Sequence, residues 1–212
     1  MSSSMKDPTL DLAADLQTFF REQLTEALVE RGVEASEPTA HYLVALLSDF
    51  AHPAELTNET LERPLPFLLE EALAASGHER FERLRTLGDS VLYTSGFFLD
   101  HLETRGVQLD YVSALGARAY GSAASMLRHT GRGAGTESNK APELFEELAE
   151  KFPHFAKVLA TLADGLFANS AQQGDAGMLR IYERWLRSGS TQLASSLAAR
   201  GMVPTRGRGG VH

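Results

Sequence analysis

HERFERLRTLGDSVLYTSGFFLDHL, residues 78–102, decides the fold. Phe81, Leu84, Gly88, Val91, Ser95, Phe98 and Leu102 recur at alternating steps of three and four, the seam of a helix packed along another helix. Gly88 and Ser95 carry almost no side chain there, which lets a neighbour come close. From Val91 to Leu99 the segment is apolar or small on nearly every side, as expected of the buried centre of a helical domain. One carboxylate, Asp89, stands at the edge of that centre. This stretch sets architecture and names no activity.

Working outward, helix signals recur and strand signals are nearly absent. No alternating run of β-branched and aromatic residues occurs, nor an Asn-Gly or Asp-Gly hairpin turn. Asp7-Pro8 opens a first helix with the stripe Leu12, Leu16, Phe19, Phe20, Leu24 and Leu28, and Gly32 ends it. Ser36 to Pro38 opens a second, carrying Tyr42, Leu43, Leu46, Leu47 and Phe50, and His52-Pro53 closes it. A loop over 53–66 and a short helix from Pro66 to Ala75 precede the central segment, which is expected to continue to Gly106. Asp110 is the expected N-cap of the next helix, which runs to His129. Its small face, Ser113, Ala117, Gly121 and Ser125, is expected to meet the Gly88/Ser95/Gly96 side of the preceding helix, antiparallel. A glycine-rich loop over 130–139, helices on either side of Pro153, a helix over 178–187 and a last one over 190–200 complete the pattern.

The fold class is therefore all-α, a compact array of about seven to nine helices around a central antiparallel pair. Residues 1–203 read as a single helical domain and 204–212 as a disordered basic tail. Four helix-interior glycines, Gly88, Gly96, Gly116 and Gly121, each cost on the order of 1 kcal/mol relative to alanine. Close packing is the expected offset.

The segment around LGD-SVLYT-SGFF, the Asp110-Tyr111 and Gly116 to Tyr120 positions, and Tyr182 to Leu186 resemble an uncharacterised family of bacterial all-helical proteins. That resemblance implies a complete, standalone helical protein. It implies no chemistry, and no site residue carries over from it.

Composition narrows the function classes. With no cysteine, disulfides, thiolate catalysis and cysteine-ligated metals are excluded. Asp7, Asp11 and Asp15 interrupt any signal-peptide core, and no apolar run approaches the eighteen or so residues of a membrane span. A cytoplasmic protein that does not enter membranes is the expectation. The net charge is −8, with −12 over residues 1–110 and +4 over 111–212. A solvated surface with local bias is the favoured reading of this asymmetry; the alternative is docking of a protein partner or of a second copy of the chain, as in a homodimer.

Motifs for chemistry are sparse. No Glu-x-x-His pair, His-Glu-x-x-His or nucleophile elbow occurs, so neither a metal nor a catalytic residue is expected. A lone haem ligand would be His101, but the reading favours no cofactor. Asp89 admits two roles: a structural one, in an ion pair with Arg85 or Arg118 or a bond to helix-end amides that sets register, or an acid/base or ligand-binding carboxylate in a pocket with Tyr93, His101, Tyr111, Arg118 and Tyr120. On the late helix, Arg180, Arg184 and Arg187 share a face, with Tyr182 and Trp185 interleaved. A solvated face, a partner-docking surface built on Arg180, Arg184, Trp185 and Arg187, and nucleic-acid contact are the alternatives. The acidic total and the lack of a reading motif argue against nucleic acid. The function expected first is a non-enzymatic interaction or regulatory protein, in which Arg184→Glu would abolish association without loss of stability. The alternative is a small-molecule-binding helical module, an enzyme included, with its pocket near Asp89.

Overall fold

The computed structural model describes residues 8–51, 63–98, 108–130, 140–170 and 175–202. These contain nine helices and no strand. We number them α1 (Pro8–Arg31), α2 (Glu37–Phe50), α3 (Leu65–Ala74), α4 (Gly77–Phe97), α5 (Leu109–Thr130), α6 (Lys140–Glu150), α7 (Phe152–Ser170), α8 (Asp175–Ser188) and α9 (Thr191–Ala198). They group into two compact units, Met1–Leu159 and Ala160–His212. His101, Asp7, His52-Pro53, the glycine-rich loop over 131–139 and the tail over 204–212 lie outside the described residues.

In the first unit, local chemistry sets the helix ends. Gly32 closes α1 with φ +61°, and the amides of Gly32 and Val33 reach back to the carbonyls of Val29 and Leu28. Ser36 opens α2, its hydroxyl accepting from the Thr39 amide. Phe20, Leu24 and Ala27 of α1 are buried, as are Leu43, Leu46 and Leu47 of α2. Phe19, expected in the α1 stripe, is exposed instead, because Phe20 takes the inward position. In α6 the apolar residues Pro142, Phe145 and Leu148 recur every third position and are all buried.

At the centre, α4 and α5 run antiparallel: Gly88 faces Tyr120 and Val91 faces Gly116. Val91 to Gly96 are all buried, as the unbroken apolar run implies. Two boundaries differ from expectation. The α4 helix stops at Phe97, because Phe98 leaves helical geometry at φ −121°, ψ 36°. Asp110 lies inside the first turn of α5 rather than capping it, so its charge interacts favourably with the positive end of the helix dipole.

The glycines are filled by rings rather than by bare helix contact. A Cβ on Gly88 would lie 2.5, 2.6 and 2.9 Å from three ring carbons of Tyr120. One on Gly116 would run into the Phe152 ring and Val91. Gly121 faces Ala149 of α6, not α4. The small-residue stripe of α5 is thus shared between neighbours, because its positions turn through the helix circumference. The break between α6 and α7 falls at Lys151, and Pro153 sits in the first turn of α7, where its missing amide costs nothing.

In the second unit, Ile181, Trp185, Leu193 and Leu197 form a buried cluster, with Ala168, Met178, Tyr182 and Ala194 packed against it. Gly189, at φ +66°, and the Ser190 cap, which accepts from the Leu193 amide, make the corner between α8 and α9.

Candidate functional site

Asp89 is the first-unit residue with the most unusual surroundings. One of its carboxylate oxygens, Oδ1, accepts from the Tyr42 hydroxyl of α2 at 2.6 Å and from the Tyr120 hydroxyl of α5 at 2.7 Å. Three helices therefore converge on one carboxyl group. Burial raises the Asp89 pKa from 3.8 to about 6, against the opposing pull of the two phenols and of nearby Arg85. Both tyrosines are pushed upward, by burial first and then by the adjacent carboxylate, so they stay protonated donors at every physiological pH.

The expected ion pair does not form. Arg85 instead bonds Glu82 at 2.7 Å, and Arg118 is exposed on α5. Neutral phenol donors satisfy the carboxylate without burying a second charge, which is the less costly arrangement. A carboxyl group near pH 6 has the acidity of a general acid or base. Here, however, its oxygen is occupied by two donors, and the glycine opening beside it is filled by the Tyr120 ring.

Of the other residues expected around Asp89, only Tyr120 joins it among those described; His101 lies outside them. Tyr93 stacks against Phe50 and Phe97, with ring centroids 4.5 Å away in each case. Tyr111 is 50% exposed. Arg118 lines a separate groove of about 690 Å³ between the start of α4 and α5, together with Arg80 and His129. A second groove, of about 470 Å³, lies between α1 and α2 beside Arg21, His41 and Lys140. Among the described residues, no group of three or more His, Asp or Glu side chains is placed to hold a metal ion.

The late arginines also separate. Arg184 is only 8% exposed; its Nε donates to Asp164 at 2.5 Å and its guanidinium lies 4.7 Å above the Phe167 ring. Trp185 is buried in the apolar cluster. Arg180 is exposed, and the Arg187 side chain lies outside the described residues. The shared arginine face is thus corrected: Arg184 turns inward because Asp164 and Phe167 of α7 await it. Reversing its charge would press two buried carboxylates together, so the expectation that Arg184→Glu spares stability is corrected as well.

Sequence reasoning missed three participants. Tyr42 sat in a core stripe, and a buried phenol needs a partner for its hydroxyl. Asp164 is the lone charge in the apolar run 158–168. Glu147 is the third. Its carboxylate accepts from the Ser36 amide at 3.1 Å, the Ser36 hydroxyl at 2.5 Å, Thr39 Oγ1 at 2.7 Å and Lys151 at 2.9 Å. Burial alone would raise the Glu147 pKa, but these donors together lower it to about 2. Glu147 thus caps α2 from 111 residues away, and Lys151 ties the same corner to the Glu34 carbonyl at 2.9 Å.

Compared with protein-family models, with curated proteins and with solved structures, the chain matches none.

Proposed function

We propose that this chain is a cytoplasmic, non-enzymatic interaction protein, possessing a contact surface on the outer face of α8. The observation that carries this reading is the pair Leu179, 57% exposed, and Leu186, 41% exposed, seven residues apart on one helix face. Arg180 and Glu183 are exposed alongside them. Large aliphatic side chains rimmed by charge on a surface helix are the usual makings of a protein interface. The chemistry-bearing candidate elsewhere, Asp89, has Oδ1 held by the Tyr42 and Tyr120 hydroxyls, which supports an interaction role over catalysis.

The partner this face suits is an acidic protein surface with an apolar centre. The second unit holds six arginines against three acidic residues, whereas the first holds 14 Lys and Arg against 25 Asp and Glu. Complementary charge would steer such a partner to α8. A regulatory role would follow from occupancy of this face.

The test is purification of the tagged chain from its own cells beside the double variant Leu179→Glu/Arg180→Glu. A stoichiometric acidic partner should accompany the wild type and be lost from the variant. The melting temperature should change by no more than about 2 °C, since the replaced groups are exposed. Recovery of the same proteins by both forms, or of the wild-type chain alone, overturns the proposal.

A further inference from the structure

The groove between the start of α4 and α5 stands apart from the charge around it. The first unit is strongly acidic, yet among the described residues no carboxylate lines this groove. Arg118, Ser122, Ser125 and His129 line it from α5, at steps of four, three and four, so they share one helix face. Arg80 and Gly77 line it from the first turn of α4.

The two arginines differ from their neighbours. Arg63, Arg83, Arg85 and Arg128 are each paired with a glutamate. Arg80 and Arg118 have no ion pair among the described residues, and Arg80 Nε is shut away from solvent with no hydrogen-bond partner. A buried, unmade guanidinium hydrogen bond is costly and is normally avoided.

The backbone adds donors at the same place. Ser76, which precedes α4, makes no side-chain cap, so the first-turn amides are left without that partner. Gly77 has φ +55° and open space where a Cβ would stand, so a ligand can approach those amides closely. At the other end, His129 Nδ1 lies 2.6 Å from the Ser125 carbonyl. A carbonyl only accepts, so Nδ1 carries the proton; Nε2 of the neutral ring is then an acceptor, and His129 lines the groove without donating to an anion.

We infer that this groove binds a phosphate monoester group, held between Arg80 and Arg118 with the α4 amides behind it. Two forked guanidinium groups, two hydroxyls and open amides match a small dianion with several acceptor oxygens. The groove volume falls in the range of roughly 300–1,000 Å³ usual for small-ligand sites. This inference is independent of the α8 surface and does not rest on it.

The test is a titration of the full chain, followed by amide NMR, with inorganic phosphate against sodium chloride at equal ionic strength. Saturable shifts confined to 77–80 and 118–129, weakened roughly tenfold in Arg118→Gln and again in Arg80→Gln, are expected. Vesicles of phosphatidylcholine with and without phosphatidic acid form a second arm. Competition by the phosphatidic acid vesicles for the same amides would make a lipid headgroup the source, and indifference to them would make it a free phosphorylated molecule. Shifts that do not saturate, or that survive both substitutions, overturn the inference.

Discussion

Gly88 and Gly121 show how one residue type serves two ends. At Gly88 the absent Cβ is the space that the Tyr120 ring occupies, and that ring is fixed by its bond to Asp89 and by contact with Phe145 and Phe152. Gly88→Ala should therefore destabilise the chain by about 1–3 kcal/mol, the cost of overpacking a filled site. At Gly121 a Cβ would meet only Ala149 Cβ, at an ordinary 3.8 Å. Gly121→Ala should stabilise by about 0.5–1 kcal/mol through helix propensity. Urea midpoints of the two variants check both, and a Gly88→Ala protein as stable as the wild type would mean that the Tyr120 ring has room to retreat. Residue identity alone made all four interior glycines equivalent; their neighbours make them different.

At the scale of elements, α2 depends on α6 for its beginning. Ser36 supplies the ordinary local cap, but Glu147 binds the Ser36 amide, the Ser36 hydroxyl and the Thr39 hydroxyl together. Glu147→Ala should cost about 1–3 kcal/mol, because the Ser36 amide and hydroxyl and the part-buried Thr39 hydroxyl lose their acceptor at once. Faster amide hydrogen exchange at Thr39 and Ala40, with α3 unaffected, is the signature that separates loss of the cap from general weakening. Exchange rising equally everywhere would refute the capping role. Boundaries obeyed local chemistry where turn residues dominate, as at Gly32, Ser36 and Ser190. They departed from it at Phe98, where no glycine or proline marks the stop.

For the molecule as a whole, two carboxyl groups impose opposite pH dependences. The folded pKa of Asp89 is raised above its unfolded value, so the fold binds that proton more tightly than the unfolded chain does. Its contribution is complete below about pH 4 and is lost as pH rises through about 6. Glu147 is the reverse: its contribution is complete above about pH 4.5 and is lost as pH falls through about 2. Relative to the wild type, Asp89→Asn should gain on the order of 2–3 kcal/mol between pH 4 and 7 and be level outside that window. Unfolding free energies of both proteins across this range decide the matter, and parallel curves would show that Asp89 titrates alike in both states. The sequence by itself determined that the chain is all-α, that α4 and α5 are its apolar centre, and where α1 ends and α2 and α9 begin, since periodicity and caps act over a few neighbouring residues. It also singled out Asp89 as a buried carboxylate in need of partners. Only the tertiary structure decided that those partners are Tyr42 and Tyr120, that Arg184 turns inward to Asp164, that Glu147 reaches across to α2 and that Arg80 and Arg118 share a groove. Each of these depends on how one helix is rotated against another, and that rotation is set by packing between residues far apart in the chain.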